Sequence, residues 1–186
     1  MRKLLILIGL ATALFAGEAP KRGPVVPRKA AEFVFLKVGE PQQLLSMYKG
    51  KTIVLAFMYT TCPHCQKTAV VLAKVQAEYA SKGVQVLGAV FDRDAGRQVQ
   101  QFHQQLGLNY PVGYSETGPV LEFLQHPVDE PYFVPILVFI DKRGTIRGEY
   151  IGDETFLSKQ EVNIRAEIDK MLKMGAPVAG ATAPKS

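Results

Sequence analysis

Cys62 and Cys65 are the only cysteines in this chain of 186 residues, and they stand three apart with Pro63 and His64 between them. Thiols at that spacing can brace a fold as a disulfide, give two ligands to a metal, or open and close as a redox couple. Bracing is the weakest of the three, because a bridge from Cys62 to Cys65 closes almost no loop and removes little entropy from the unfolded chain. A closed metal site takes about four ligands. With no second cysteine pair, only His64, His103 and His126 remain as nitrogen donors. A redox couple needs nothing beyond the pair, so dithiol–disulfide exchange is the chemistry that the spacing favours.

Such a pair works when one sulfur is accessible as a thiolate and the other is held within reach, and the flanking sequence is built for both. Residues 52–59 (TIVLAFMY) are a continuous apolar and β-branched run, the pattern of a strand buried on both faces. Pro63 suits the first position of a helix. Beyond it, Val71, Leu72, Val75 and Tyr79 recur at helical spacing until Gly83 ends the run. Cys62 thus falls at a helix N-terminus, where free backbone N–H groups and the helix dipole favour a thiolate. We expect its sulfur to accept bonds from the first-turn N–H groups. Cys65, one turn on, lies on the same face and is placed to resolve a mixed disulfide. His64 adds a donor, and a positive charge when protonated, which favours the reduced form and makes the disulfide more oxidising.

The rest of the chain reads as a frame for that strand–helix junction. Residues 84–91 form a second buried strand, giving a parallel pair with a right-handed crossover. A helix over about 95–106 presents Val99, Phe102 and Leu106 on one face and ends at Gly107. A short strand at 109–115 and a short helix around 119–124 follow. Residues 135–141 are a third strong strand, turned by Lys142, Arg143 and Gly144 into an antiparallel partner at 145–152. A last helix carries Ile164, Ile168, Met171 and Leu172 on one face, with Glu161 and Arg165 paired at i,i+4. Upstream, 31–38 reads as a short strand and 41–51 as a brief helix closed by Gly50. The class is α/β, a mixed central sheet with helices on both faces.

Length suits one domain able to bury a real core, and the composition, 47% hydrophobic and 21% charged, is that of an ordinary globular protein. The ends differ from the middle. Arg2 and Lys3 precede an apolar run over 4–15, with small residues at Ala16, Gly17 and Ala19. That is the layout of an export signal, over 1–19 if cut after Ala19, with a cut after Ala16 as the alternative. The run is short of the roughly 20 residues that a spanning helix needs; a membrane association requires this segment to be retained. Export matters because disulfides persist outside the cytoplasm. The net charge of +5 falls to +4 after the cut. Its only basic cluster, 21–29, lies within a Pro-rich stretch over 20–30 that reads as a linker, and with no stacking aromatic there a nucleic-acid partner is not expected. The domain is expected over 31–174 and a disordered tail over 175–186.

Together, the Cys-x-x-Cys after a buried strand, the helix behind it and the stretch 132–152 (YFVPILVFIDKRGTIRGEYIG) resemble the thioredoxin-like superfamily, and within it the exported TlpA/ResA-like branch. The resemblance covers about residues 31–172. It implies a thioredoxin-like fold with an extra strand and helix between about Phe91 and Ser115, and protein thiols or disulfides and a redox partner protein as partners, as in cytochrome c maturation. It implies no cofactor and no metal. Residue by residue, Cys62 matches the attacking cysteine and Cys65 the resolving one. Pro135 matches the cis-proline facing the disulfide, with Val134 before it, where backbone pairs with a bound substrate chain. There are two departures. Where thioredoxins carry a buried aspartate this chain has Ala56, and where ResA-like proteins carry an acidic residue it has Thr68, so no carboxylate is expected beside Cys65. The Pro63–His64 dipeptide resembles that of DsbA, a strong oxidant, whereas the branch implies reductants. A second reading on the same fold is a Sco-like copper carrier, which shares the Tyr-Thr-Thr-Cys-Pro lead-in but is expected to have three residues between its cysteines. A peroxidase is weaker, because its lead-in expects Thr or Ser where Tyr59 stands.

Overall fold

The structure, a computed structural model, describes residues 25–174. The expected export signal (1–19), the first part of the linker and the tail over 175–186 lie outside the described residues.

A six-stranded mixed sheet organises the chain. Its centre is β4 (Thr52–Met58), all seven residues of which are buried. On one side it pairs in parallel with β5 (Val84–Val90), in register from Thr52 opposite Val84 to Met58 opposite Val90. On the other side it pairs antiparallel with β7 (Ile136–Ile140), Phe57 facing Ile136. Beyond β5 lies β6 (Val112–Tyr114), and beyond β7 lie β8 (Thr145–Ile151) and the two-residue β1 (Arg28–Lys29). A strand hydrogen-bonded at both edges and covered on both faces has every side chain inside, which explains the unbroken apolar run at 52–58.

The pleat sends alternate residues of β4 to opposite faces. Val54, Ala56 and Met58 join the core under α1 (Pro63–Tyr79), α2 (Ala95–Gln105) and α5 (Gln160–Met174). Ile53, Leu55 and Phe57 join a second core with Val120, Phe123 and Leu124 of α3 (Thr117–Leu124). Phe57 sits among Phe33, Phe91 and Phe123, ring centroids 5.1–6.4 Å away. The buried Gln76 of α1 accepts from Val86 N at 2.7 Å, which fixes the helix along β5. The short α4 (Glu154–Ser158) is capped by Asp153, whose carboxylate accepts from Phe156 N, and leads into α5.

Three local expectations change. The segment 20–30 is not linker throughout: Arg28 and Lys29 pair with Ile146 and Thr145, and Arg28 Nη2 meets Glu149 Oε2 at 2.6 Å. A two-residue edge strand carries no periodicity, so only its partner reveals it. Over 31–38 the strand shrinks to β2 (Val34–Phe35), paired with β3 (Gln43–Leu44), and Leu36 bridges to Tyr114. The brief helix is one 3₁₀ turn, Leu45–Tyr48, and Gly50 beyond it takes φ +84°. Glu161 and Arg165 do meet at i,i+4, the carboxylate at 3.7 Å and the Glu161 carbonyl accepting from Arg165 Nη1 at 2.8 Å, and both also reach α1, to Lys74 at 3.0 Å and Glu78 at 2.7 Å.

Candidate active site

Everything that positions the cysteines follows from the end of β4. After Met58 the chain turns through Tyr59, Thr60 and Thr61, and Cys62 becomes the N-cap of α1 at φ −81°, ψ 119°, with Pro63 as first helical residue. The turn is closed by Cys62 N donating to Tyr59 O and by Gln66 Nε2 donating to Thr60 O at 2.8 Å. Both thiols are free; Cys62 is half-buried and Cys65 is fully buried. One expectation fails here: no first-turn N–H bonds to the Cys62 side chain. Its side chain packs instead against the core that contains Cys65.

Cys65 is held from the strand side, with Tyr59 N donating to its sulfur at 3.4 Å. Burial pushes its thiol well above the ordinary range, the Tyr59 N–H works against that, and the hydrogen bond and charge of Cys62, then the charge of Asp92, push it further up. The site is therefore asymmetric, a half-buried Cys62 beside a fully buried Cys65 that holds its proton. His64 is exposed on the first turn and makes no hydrogen bond or ion pair among the described residues.

The Val134–Pro135 bond is cis. Because Ile136 pairs with Phe57, Pro135 lies at the same end of the sheet as the cysteines. Gly152 N donates to Pro135 O at 3.2 Å, and Val134 packs against both cores. Phe133 beside it is 69% exposed. On the far flank, the Tyr59 ring lies 4.7 Å from Phe91 and its hydroxyl bonds that of Tyr132 at 2.9 Å. His126 meets the Tyr132 ring edge-on at 5.9 Å, whereas His103 is elsewhere, its Nε2 at 3.1 Å from Tyr110 O. Among the described residues no group of three or more His, Cys, Asp or Glu side chains is placed to hold a metal ion.

The two positions where the resemblance expects a carboxylate are occupied otherwise. Ala56 is buried in β4, and the buried Thr68 hydroxyl donates to Gln160 Oε1 at 2.7 Å, tying α1 to α5. A carboxylate is nevertheless present, from a residue that sequence reasoning passed over. Asp92 Oδ2 accepts from Thr60 N at 3.0 Å and from Thr60 Oγ1 at 2.5 Å, and Thr60 Oγ1 also meets the Gln98 side chain. The charge of Asp92 reaches both Cys65 and Tyr59. Its one sequence signal is the strand register: Met58 opposite Val90 sets Asp92, two residues on, beside Thr60.

Known proteins with this arrangement bear on the family. Residues 27–164 match the sequence model of the Redoxin family. The chain is 27% identical over 157 residues to the thiol-disulfide oxidoreductase ResA of Bacillus thuringiensis subsp. konkukian, covering 82% of this chain and 86% of that one. It is 24% identical over 146 residues to the thioredoxin-like protein YneN of Bacillus subtilis, covering 76% and 79%. Among solved structures, a thiol:disulfide interchange protein of the thioredoxin family from Chlorobium tepidum superposes with a TM-score of 0.66 at 21% identity, over 80% of this chain and 98% of that one. The family match spans most of the folded chain, and the strand order, the parallel crossover and the turn into α1 are those of the thioredoxin-like fold; the chain belongs to the Redoxin family, as a TlpA/ResA-like member.

Proposed function

We propose that the protein is an exported thiol-disulfide oxidoreductase that exchanges the Cys62–Cys65 dithiol with partner proteins in a periplasmic or other extracytoplasmic compartment. The observation that carries this is the asymmetry of the pair: a half-buried Cys62 at the start of α1, packed on the core that fully encloses Cys65. In the reducing direction, the Cys62 thiolate attacks a partner disulfide and one partner sulfur leaves as thiolate. Cys65 then gives up its proton and attacks Cys62 Sγ, the mixed disulfide breaks, and the second partner thiol departs. The partner gains two electrons and this protein ends as the Cys62–Cys65 disulfide, to be reduced again by a redox partner protein. Oxidation of a partner is the same sequence reversed. Val134 and Pro135 offer backbone to the bound chain, and Pro63 and His64 set the balance between dithiol and disulfide.

Dithiol exchange is preferred to copper carriage because the similar curated proteins are named as oxidoreductases. The direction of flow is a matter of potential. A branch-like reductant, of the kind that serves cytochrome c maturation, needs a low value; a disulfide donor needs a high one. The deciding experiment equilibrates the protein with glutathione buffers and counts free thiols. A midpoint near about −120 mV makes the protein a disulfide donor or isomerase, and one near about −270 mV makes it a reductant. Two thiols that stay reduced across the whole series would refute the redox function itself.

A further inference from the structure

A buried thiol with its proton held tightly is a poor nucleophile, yet the resolving step requires Cys65 to give that proton up. Among the described residues, the carboxylate whose charge bears on Cys65 is that of Asp92. Two successive backbone amides after β4 organise the place: Tyr59 N–H grips Cys65 Sγ at 3.4 Å, and Thr60 N–H grips Asp92 Oδ2 at 3.0 Å. The Thr60 hydroxyl holds the same oxygen at 2.5 Å. Oδ2 is thereby committed. Oδ1 is buried and has no hydrogen-bond partner, an arrangement that buried carboxylate oxygens rarely keep without a purpose. Asp92 also lines a cavity of about 600 Å³ together with Tyr59, Arg93, Tyr114, Ser115 and Glu116. Asp92 thus stands between the Thr60 clamp and the wall of that cavity.

We propose that Asp92 is the proton acceptor and donor for Cys65: Oδ1, left free by the Thr60 clamp, takes the thiol proton as Cys65 attacks and returns it when the disulfide is opened. This rests on the dithiol function proposed above. In resolution, the Cys65 S–H bond breaks toward Asp92 Oδ1, directly or across one water, the Cys65–Cys62 bond forms and the Cys62–partner bond breaks. The electron pair of that bond leaves with the partner sulfur. The proton then passes from Asp92 to water in the adjoining cavity. The other titratable or charged groups around this path are Cys62, Tyr59 with Tyr132 behind it, and Arg93, Tyr114 and Glu116 along the cavity.

The test is stopped-flow reaction of the reduced protein with the aromatic disulfide DTNB, which separates the two cysteines in one trace. Attack by Cys62 releases one thionitrobenzoate, and closure by Cys65 releases a second. Asp92→Asn is expected to slow the second release at neutral pH at least about ten-fold, the low side of the usual range for a general base. The first release should stay within about two-fold. In the variant the second phase should also climb more steeply with pH, as hydroxide takes over the task, and Asp92→Glu should recover part of the rate. Thr60→Val, which loosens the clamp and keeps the carboxylate, should slow the same phase by a smaller factor. An unchanged second phase in Asp92→Asn overturns the assignment, and so does parallel slowing of both phases, which would mark a structural role. A wild-type protein that releases only one thionitrobenzoate per chain would instead overturn the dithiol function, a failure seen before any variant is made.

Discussion

Gly152 is the sharpest test of how the Pro135 loop is held, because its surroundings permit a quantity to be worked. It takes φ +54°, and a Cβ built on it would lie 2.2 Å from Phe133 Cβ and 3.0 Å from the Phe133 Cα and carbonyl carbon. Carbon atoms rest at about 3.5–4.0 Å, so residues 133–135 would have to move by about 1 Å or more. No rotamer of Phe133 relieves this, since the atoms struck are its Cβ and backbone. Gly144 is the matched control: its φ is +73°, and nothing lies within 4 Å of its would-be Cβ. Gly144→Ala should therefore show left-handed strain alone, about 1–2 kcal/mol in urea unfolding. Gly152→Ala should add the loop displacement and lose roughly 3 kcal/mol or more, a typical figure for overpacking placed on top of that strain.

The functional consequence separates the variants further. A displacement of about 1 Å at a positioning element can lower a rate by about 10²-fold, and the backbone at Val134 and Pro135 is the proposed dock for a partner chain. With insulin as a protein disulfide, Gly152→Ala should lose most of its exchange rate while Gly144→Ala keeps it. The first thionitrobenzoate release from DTNB, which asks little of that dock, should survive in both. If Gly152→Ala is no less stable than Gly144→Ala, or reduces insulin at the wild-type rate, the loop is not held as inferred.

Two further outcomes are expected. The Glu149 side chain is 3% exposed and burial raises its carboxyl, an effect that Arg28 and then His126 oppose. The folded protein thus holds that proton more tightly than the unfolded chain does, so the stability from this group is full at low pH and lost as pH rises. Arg28→Met should remove about 3–5 kcal/mol at neutral pH, less as pH falls and Glu149 protonates, and Arg28→Met/Glu149→Met should restore most of it; a loss independent of pH in urea titrations would contradict this. His64→Gln should lower the reduction potential by tens of millivolts, measured against glutathione, because the proposed tuning donor is gone; a rise, or no change, would show that the exposed imidazole does not tune the couple.

Most of the frame was legible because each strong element announces itself locally. The run 52–59 and the run 84–91 are apolar throughout because both strands are covered on two faces, and the helical spacing from Val71 to Tyr79 marks the face of α1 that lies on them. Where a strand is two residues long, as at Arg28–Lys29 or Gln43–Leu44, no period exists to be read, and a Pro-flanked edge strand looks like a linker. The N-cap position of Cys62 is readable from Pro63 beside it, but whether the first-turn N–H groups bond its sulfur is not, since that depends on how the turn closes.

The carboxylate shows the same division at the site. Along the chain, Ala56 and Thr68 stand where the resemblance expects acids, whereas a proton acceptor is defined by where an oxygen lies in space. Parallel pairing of β4 with β5 carries Asp92 past Val90 to the turn after Met58, and the Thr60 amide that receives it adjoins the Tyr59 amide that holds Cys65. In the function proposed, the two halves of the couple answer to separate parts of the molecule: Pro63 and His64 act on Cys62 from the exposed first turn, while burial and the charge of Asp92 bear on Cys65 from within. Exchange of the dipeptide should move the equilibrium between dithiol and disulfide and leave the Cys65 phase of the DTNB reaction within a few-fold. Asp92→Asn should do the reverse to the rate, slowing closure and reopening together, so that the potential moves far less than either rate. Those two outcomes together would put the potential and the speed of resolution on opposite sides of the same turn, and a Redoxin-family scaffold could then carry the Pro63–His64 dipeptide without conflict.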